Sequence, residues 1–530
     1  MRQAFKVVMS LGLVLSGAGC SDYLSGPGVD RDPNNVLSLK KAGPVYIGIQ
    51  AAAPPQREGQ LARYAAMYTQ QLAGVARQQA DFDLYGAAAS DIDTYFGAFY
   101  GASNVLTGGG GLLDIHKLQQ LGRAAGDSLY IGIGKVYEAM YLGMAADMFG
   151  DIPYRQAADS TNLRPAFDPQ LQVYADLQSQ LDSAITIFLA AAGPTNLGPS
   201  TEAAVQAELI YQGRDAAGLR AVYTAVAHSL KARLFMHTAE VNPAAYALAL
   251  AEVPLGIASP ADDFLWFHDL TATGANIWWQ FNSARAGDLA PGAALVEIEK
   301  RRIAAGVEDG VRLAFYFTPA TSGFFGYRPG GTTNMPTNGV IYNGNGDPGA
   351  VLPTDATYSG FGPSFDGASA SSNFRQPEIT YAETQLIGAE AAFQTGGQGA
   401  AQPFLDAERG NRTYGGTVFG PAPGALPATL QNIMEEKYVA LFLNPEVWND
   451  YKRTCLPSLA TAPVSTAPGS PPRPTPIAGR LPYGQSEENA NPNLPSVNSA
   501  GQPVTSTGQN PNDPTPCPVL DYTASVPLAN

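Results

Sequence analysis

Residues 128–154 read SLYIGIGKVYEAMYLGMAADMFGDIPY. The larger apolar side chains of this stretch recur at intervals of three and four residues, which places them on one face of an α-helix. Glycines and alanines stand between them, and each glycine costs about 1 kcal/mol of helix propensity relative to alanine, so close packing must compensate. Gly150 is a natural C-terminal stop, and Pro153 disfavours helix in the residue before it. The stretch therefore predicts a central helix that neighbouring elements contact on several sides.

Amphipathic periodicity extends to both sides of this central helix and predicts a mainly α-helical protein. Successive helices joined by turns predict tetratricopeptide-like helical hairpins that stack into a superhelical scaffold, although no clean repeat consensus is present. The predicted helices cover Gln60 to Gln79, Ile92 to Leu106, Leu112 to Leu121, Asp168 to Ala192, Asp215 to Ala239, Asn242 to Val253, Thr380 to Phe393 and Pro427 to Asn444.

The periodicity fades between Pro254 and Pro377, where glycine, aromatic and polar residues dominate and one helix is predicted from Gly292 to Ala305. A long structured insertion inside a compact protein is more often functional than accidental. The predicted organisation is one globular domain, 56–530. It consists of a helical scaffold (56–253 and 378–455), an irregular ligand-binding insertion (254–377) and a loop-rich C-terminal segment (456–530).

The N-terminus has the pattern of a secretory signal peptide. Arg2 and Lys6 precede an apolar run, and small residues lead to Cys20. The ending Leu-Ser-Gly-Ala-Gly-Cys is similar to a bacterial lipobox, although its leucine stands two positions earlier than usual. We expect residues 1–19 to be removed, Cys20 to carry the lipid that attaches the protein to a membrane, and 20–55 to form an anchor and tether. The alternative is an ordinary signal peptide cleaved nearby.

The net charge and the cysteine content indicate which binding partners and which cellular compartment are compatible with this chain. The formal net charge is −15, which argues against nucleic acid as a partner. Cys455 and Cys517 are the two cysteines besides Cys20. In an exported chain they are able to form a disulfide, worth on the order of 4 kcal/mol on the chain-entropy model, and two unrelated thiols are the alternative.

Catalytic signatures are absent from the sequence: it has no phosphate-binding loop, no His-Glu-x-x-His pair and no Gly-x-Ser-x-Gly elbow. The histidines His116, His228, His237 and His268 stand on separate segments without the spacing of metal ligands. We therefore predict no catalytic residues, no metal site and no cofactor. A glycosidase whose acid and base are two of the 46 Asp and Glu residues is an alternative that the sequence does not exclude, because sequence does not give the distance between carboxylates.

Several motifs, in a shared order, resemble the SusD/RagB-like outer-membrane lipoproteins, and in particular their second sub-group. The resemblance covers nearly the whole mature chain. The motifs are Cys20-Ser-Asp-Tyr-Leu24, Phe149-Gly-Asp-Ile-Pro-Tyr154, Leu230-Lys-Ala-Arg-Leu234, Ile379-Thr-Tyr-Ala-Glu-Thr-Gln-Leu-Ile-Gly-Ala-Glu390 and Glu446-Val-Trp-Asn-Asp-Tyr-Lys-Arg-Thr454. One departure is Cys455, which stands where the family commonly has glycine and so favours a disulfide peculiar to this protein and its relatives.

The resemblance implies a lipid-anchored protein of the bacterial outer membrane that faces the cell exterior. It would bind glycans, oligosaccharides or other nutrients and deliver them to a SusC-like TonB-dependent transporter, without catalysis. Two alternatives are a surface glycoside hydrolase, and an adhesion or assembly lipoprotein without a small ligand.

Sugar binding needs flat apolar rings on ordered loops, beside amides and carboxylates that bond the hydroxyls. The irregular insertion supplies such rings, and at least one of the adjacent Trp278 and Trp279 should be buried. Trp448 and the helical Tyr95, Phe96, Phe99 and Tyr100 are assigned to the core. The predicted ligand-binding residues are Trp266, Trp278, Trp279, Phe324, Phe325, Tyr327 and Tyr342.

Overall fold

The computed structural model describes residues 41–101, 110–159, 161–190, 206–285, 287–317, 324, 326–327, 329, 372–459, 477–495 and 517, with the backbone of 463–464 and 473–474. The predicted signal peptide, Cys20, Phe325 and Tyr342 lie outside the described residues.

Helices dominate the first half of the described chain. They are α1 (Ala42–Arg57), α2 (Gln60–Tyr68), α3 (Arg77–Phe82), α4 (Ala89–Ala98), α5 (Leu112–Ala125), α6 (Ser128–Phe149), α7 (Gln170–Ala190), α8 (Ala216–Met236) and α9 (Ala244–Glu252). Two 3-10 turns follow, at Val253–Leu255 and Pro260–Asp262.

The second half combines helices with short strands. The helices are α10 (Ile277–Ala284), α11 (Ala293–Ala304), α12 (Val311–Tyr316), α13 (Tyr381–Gly396), α14 (Gln398–Gly410), α15 (Leu430–Ala440), α16 (Glu446–Thr454) and α17 (Gln485–Ala490). The strands are β1 (Leu72–Gly74), β2 (Phe264–Leu265), β3 (Leu289–Pro291), β4 (Pro377–Ile379), β5 (Arg412–Tyr414), β6 (Thr417–Gly420), β7 (Pro463–Val464) and β8 (Arg473–Pro474). The pairs β1–β3, β2–β4, β5–β6 and β7–β8 are antiparallel.

Helix α6 is the centre of the fold, as its sequence predicts. All of its residues except Ser128, Ile131 and Lys135 are buried. The Asp127 side chain accepts a hydrogen bond from the backbone N–H of Leu129 and caps the helix, and Gly150 ends it at a φ of 82°. The burial extends around the whole circumference, so the single apolar face in the sequence understates how central the helix is.

Small residues on α6 allow its neighbours to approach closely. A Cβ atom at Gly132 would lie 2.3 Å from the Phe188 ring of α7, and one at Gly134 would lie 2.7 Å from Gln119 of α5. Helix α8 also packs on α6, and α13 packs on α9 and α14. These stacked helices form the predicted tetratricopeptide-like scaffold. Within the described residues, one large hydrophobic cluster extends from Ala42 to Tyr483.

The expected tether is wrong from residue 42 onward, because α1 is a helix packed into the core. Tyr46 lies edge-on to Tyr130 and Tyr137 of α6, with ring centroids 5.8 and 6.0 Å apart, and its hydroxyl donates to Glu208 at 2.5 Å. Pro54 and Pro55 lie in the last turn of this helix. The prolines and glycines of this segment resemble a linker in sequence, and burial against α6 overrides that local preference.

Two further helix predictions needed correction. The helix expected over Gln60 to Gln79 stops at Tyr68, since Gln70 takes a φ of 58° and the following residues pair as β1 with β3. The irregular insertion contains α10 and α12 besides the predicted helix, which the structure confirms as α11. Pairing partners distant in the sequence determine these changes.

Cys455 and Cys517 form a disulfide, with their Cα atoms 5.3 Å apart. This is the pairing that the sequence favours. Cys455 occupies the C-cap of α16 in the left-handed region, at a φ of 55°. Among the described residues, no helix combines the length and the apolar composition that crossing a membrane requires.

Candidate functional site

Trp266 is a core residue, and its assignment to the ligand site is wrong. Its side chain is 0% exposed, and its ring lies edge-on to Phe264 with centroids 4.9 Å apart. Its indole N–H donates to Glu378 Oε2 at 2.9 Å. The short β2–β4 pairing, which the sequence does not reveal, turns this tryptophan inward. Trp448 is likewise fully buried, as predicted.

Trp278 and Trp279 lie on α10 and face different environments. Asn276 caps this helix by accepting from the Trp279 N–H at 3.0 Å. Trp278 is fully buried, whereas Trp279 is half-buried. The prediction that at least one of the two is buried is confirmed, and Trp278 is removed from the candidate ligand surface. Trp279 stays a candidate ligand contact.

Helix α10 is fixed at its N-terminus by contacts to distant parts of the chain. The backbone N–H of Asn276 donates to the Ser372 carbonyl at 2.7 Å, and its side-chain amide donates to the Phe374 carbonyl at 3.1 Å. The Glu58 carboxyl bonds His268 Nε2 at 3.0 Å and the backbone of Ile277. Burial raises the pKa of Glu58. These anchors make α10 a rigid platform.

Phe324 and Tyr327 are the remaining aromatic candidates that belong to the described residues. Phe324 and Tyr327 are half-buried. The backbone of Tyr327 donates to Pro291 and accepts from Ala293, both at 2.8 Å, beside β3. Because β3 pairs with β1, Tyr327 is tied to the segment between α2 and α3. Both residues stay candidates.

We use the name α10 surface for Arg63 and the half-buried rings Tyr95, Trp279, Phe281 and Phe374. Trp279 and Phe281 lie on α10, Arg63 contacts Phe281, the Phe374 carbonyl bonds Asn276 at the helix N-terminus, and Tyr95 lies near Arg63. The four rings are each partly buried against the core. The Arg63 guanidinium lies 4.3 Å from the centre of the Phe281 ring, and Phe374 stacks on Tyr414 with centroids 5.8 Å apart. Flat rings on rigid elements provide the geometry that sugar faces require.

Sequence reasoning missed four of these five residues. Tyr95 was expected in the core, which holds its helical neighbours Phe96 and Phe99. Phe281 follows Trp278 by three residues, and that spacing is the signal from which a helix with two aromatic residues on one face could have been predicted. Arg63 and Phe374 carry no local signal, since long-range packing brings them to α10.

A buried ionic cluster lies elsewhere, inside the helical scaffold. His237 Nδ1 is 3.0 Å from Asp147 Oδ1, and His237 Nε2 is 2.7 Å from Glu446 Oε1. Burial alone would lower the pKa of His237, but the two carboxylates raise it to about 10. These three residues form a buried ion network, and their ligand atoms also lie within metal-ligand distance of one another.

Three carboxyl groups have strongly raised pKa values, which elsewhere mark catalytic acids. Burial raises the pKa of Asp263 and of Glu408 to about 8 and that of Glu299 to about 7. Their exposed fractions are 7%, 1% and 0%, respectively. A glycosidase needs its two carboxyls on either side of a substrate cleft. These three groups are therefore interpreted as parts of the scaffold.

Residues 56–478 match the model of the SusD-like family of the second kind, described as "Starch-binding associating with outer membrane". The match covers well over half of the chain. The protein therefore belongs to the SusD-like family, whose members are associated with the outer membrane.

Solved structures of this family share the fold. A chitin-binding SusD homologue from Flavobacterium johnsoniae aligns with a TM-score of 0.63 at 19% identity, over 90% of this chain and 99% of the other. A SusD-like protein from Bacteroides thetaiotaomicron aligns with a TM-score of 0.63 at 20% identity, over 88% and 98%. A SusD homologue from Bacteroides uniformis gives 0.60 at 18% identity, over 89% and 99%. No curated protein sequence matches this chain.

Proposed function

We propose that this protein binds glycans at the α10 surface and delivers them to a TonB-dependent transporter of the outer membrane, without cleaving them. The observation that carries the proposal is the set of half-buried rings, Tyr95, Trp279, Phe281 and Phe374, held on and around a helix that is anchored at its N-terminus. A half-exposed ring on a rigid element loses little entropy when a sugar packs on it.

Family membership supports the class of ligand. The family description names starch binding, and one structural relative is described as chitin-binding. Both ligands are polysaccharides, so the shared chemistry is a sugar ring with hydroxyl groups. The family description names binding, which supports a binding function over hydrolysis.

The proposal includes the location and the partner of the protein. Removal of the signal peptide before Cys20 and lipidation of that residue would anchor the chain to the outer membrane, with its globular part facing the exterior. A SusC-like barrel transporter would then receive the ligand. Affinity purification of the native protein from detergent-solubilised membranes should recover this large barrel protein, and its absence from a stable preparation would contradict the partnership.

Calorimetry with starch and chitin oligosaccharides tests the binding surface. We expect Trp279→Ala to weaken binding by more than about 1 kcal/mol, the usual cost of truncating an interface anchor. Tyr246→Ala is the matched control, because it removes a half-buried ring from α9 of the scaffold. Equal affinities of the wild type and Trp279→Ala would remove Trp279 from the site. Hydrolysis of the oligosaccharides by the purified protein would mean that it is an enzyme rather than a binding protein.

A further inference from the structure

Arg63 is a buried cation without a carboxylate partner among the described residues. Its side chain is 8% exposed. Its one hydrogen bond within the described chain runs from Nε to Gln60 Oε1 at 3.2 Å, and its guanidinium rests on the Phe281 ring. Burying a charge is costly unless the charge is paired. The chain has 46 acidic residues, so acidic partners are not scarce in this protein.

Arg220, Arg233 and the half-buried Arg375 differ from Arg63 because their Nη groups have acceptors among the described residues, and for Arg220 the acceptor is Ser128 Oγ at 3.3 Å. Arg233 is bonded by both oxygens of Glu383, at 2.6 Å each. Arg375 also has no carboxylate partner among the described residues, but its Nη2 donates to the carbonyl oxygens of Ile210 at 2.7 Å and Leu265 at 2.9 Å. For the Nη groups of Arg63 the described residues supply no acceptor.

Polar atoms beside Arg63 are also unsatisfied. Gln60 Nε2 and Gln79 Oε1 are buried without a hydrogen-bond partner among the described residues, although Gln79 Nε2 reaches Gln60 Oε1 at 3.5 Å. The exposed fractions of these two side chains are 3% and 1%. Buried polar atoms without partners are rare and call for an explanation such as a bound group. They add a donor and an acceptor next to the free guanidinium.

Burial is the main cause that shifts the pKa of the Arg63 guanidinium. It lowers this pKa to about 10, whereas the neighbouring Tyr95 and Tyr64 act to raise it and Arg285 acts to lower it. Arg285 itself lies 3.9 Å from Asp288. The guanidinium stays charged at neutral pH, so an anion placed beside Arg63 would remove the cost of an unpaired buried charge.

We propose that the Nη groups of Arg63, with the amide donor Gln60 Nε2, bind the anionic group of an acidic sugar, a carboxylate or a sulfate, at the edge of the α10 surface, where the acceptor Gln79 Oε1 is able to bond only a hydroxyl group. A planar guanidinium bonds a carboxylate or sulfate through two parallel hydrogen bonds. The rings of Phe281 and Tyr95 lie next to this position, where a sugar ring would pack. The inference rests on the proposed glycan-binding function and specifies the class of glycan.

The test is calorimetry with the full chain and three probes of equal length. The first is an oligogalacturonate, which carries carboxylates. The second is an oligosaccharide of otherwise neutral sugars that carries sulfate groups, and the third is an unmodified chitin oligosaccharide. We expect one of the two acidic probes to bind at least tenfold more tightly than the chitin probe, which equals about 1.4 kcal/mol. The acidic probe that binds more tightly shows whether the site prefers a carboxylate or a sulfate. This binding should weaken as ionic strength rises, because an exposed ligand charge is screened.

Variants separate the anion site from the rest of the surface. Arg63→Met should lower the affinity for the preferred acidic probe at least tenfold more than the affinity for the chitin probe. Arg63→Lys keeps the charge and should retain part of the preference. Arg123→Gln is the matched control, since it removes an exposed arginine on α5 of the scaffold without an ion-pair partner in the described residues. Far-UV circular dichroism and the Tm verify folding of each variant.

The outcomes distinguish this inference from the proposed function. Binding of the chitin probe without any preference for acidic probes, or a preference that Arg63→Met does not change, overturns the anion site and leaves glycan binding in place. Failure of all three probes and of a wider glycan panel overturns the proposed function together with the anion site.

Discussion

Two buried arginines show how differently the two parts of this protein treat charge. In the scaffold, Arg233 is enclosed by Glu383, Glu378 and Glu446, and although burial alone would lower its pKa, these carboxylates raise it above the ordinary value. At the α10 surface, Arg63 is equally enclosed but is held by an aromatic ring and a glutamine, and burial lowers its pKa to about 10.

The difference indicates which region is built for stability and which for binding. A buried ion pair contributes structure when each charge is satisfied, and removing one partner leaves an uncompensated charge inside the protein. A charge that the fold leaves unsatisfied is instead available to a ligand, at some cost to the free protein. In the scaffold, Arg233 thus belongs to a closed ion network, while at the α10 surface Arg63 has no carboxylate partner among the described residues.

Removing the cation of the scaffold network should have the largest effect. We expect Arg233→Met to lower the free energy of unfolding by about 3–5 kcal/mol, because Glu383 would stay buried without its bidentate partner. Urea denaturation measures this change. Arg155→Met, which breaks an exposed pair with Asp176, is the control and should cost about 1 kcal/mol or less. Similar losses in the two variants would contradict the distinction between closed and exposed pairs.

Removing the indole N–H of Trp266 should lower the free energy of unfolding by less than Arg233→Met does. Trp266→Phe keeps an aromatic ring in the core but leaves Glu378 Oε2 without its donor. A loss of about 1–3 kcal/mol in the free energy of unfolding is expected, with glycan affinity unchanged. Trp279→Phe should show the reverse, little change in stability and weaker binding. If Trp266→Phe reduced affinity without reducing stability, Trp266 would belong to the ligand site after all.

The scaffold network should also make stability depend on pH. The folded pKa of His237 is about 10, whereas an unperturbed histidine titrates near 6.5. Its stabilising contribution is therefore complete below about pH 6.5 and is lost as pH rises to about 10, with a slope of up to about 1.4 kcal/mol per pH unit. NMR titration should find this imidazole still protonated at pH 9. A neutral imidazole at pH 8 would disprove the network.

Glu446 determines how the stability that this network contributes changes at acidic pH. Burial would raise its pKa, but His237 and Arg233 lower it to about 2. The contribution of this carboxylate is present above its ordinary pKa near 4.3 and is lost as pH falls towards 2. The combined contribution of His237 and Glu446 to stability should therefore be greatest between about pH 4.5 and 6.5. Urea denaturation at a series of pH values tests this expectation.

Removing the open charge should have the smallest effect on stability. Arg63→Met eliminates an unpaired buried charge and also a cation–π contact worth about 0.5–1 kcal/mol. These effects oppose one another, so we expect a change in the free energy of unfolding below about 1 kcal/mol in either direction, by urea denaturation. A loss as large as that of Arg233→Met would mean that Arg63 stabilises the fold and would weaken the comparison.

Local sequence patterns predicted the scaffold well because its helices carry strong periodicity and caps. Helices α6, α8 and α13 lie within a few residues of their predicted bounds, and the side chains of Asp215 and Thr380 cap the N-termini of α8 and α13. The prediction failed where local preference and tertiary packing disagree. Helix α1 resembles a linker yet packs into the core, and Trp266 resembles a surface ring yet bonds Glu378 inside it.

The sequence by itself determined the helical class and the central helix, because both depend on residue spacing. It favoured the pairing of Cys455 with Cys517 but left two unrelated thiols open, and the structure shows the disulfide. Only the tertiary structure decided which aromatic rings stay half-buried and left Arg63 without a carboxylate partner among the described residues. Those properties depend on residues far apart in the chain. Arg63 on α2 and Phe281 on α10, 218 positions away, meet only when the chain is folded.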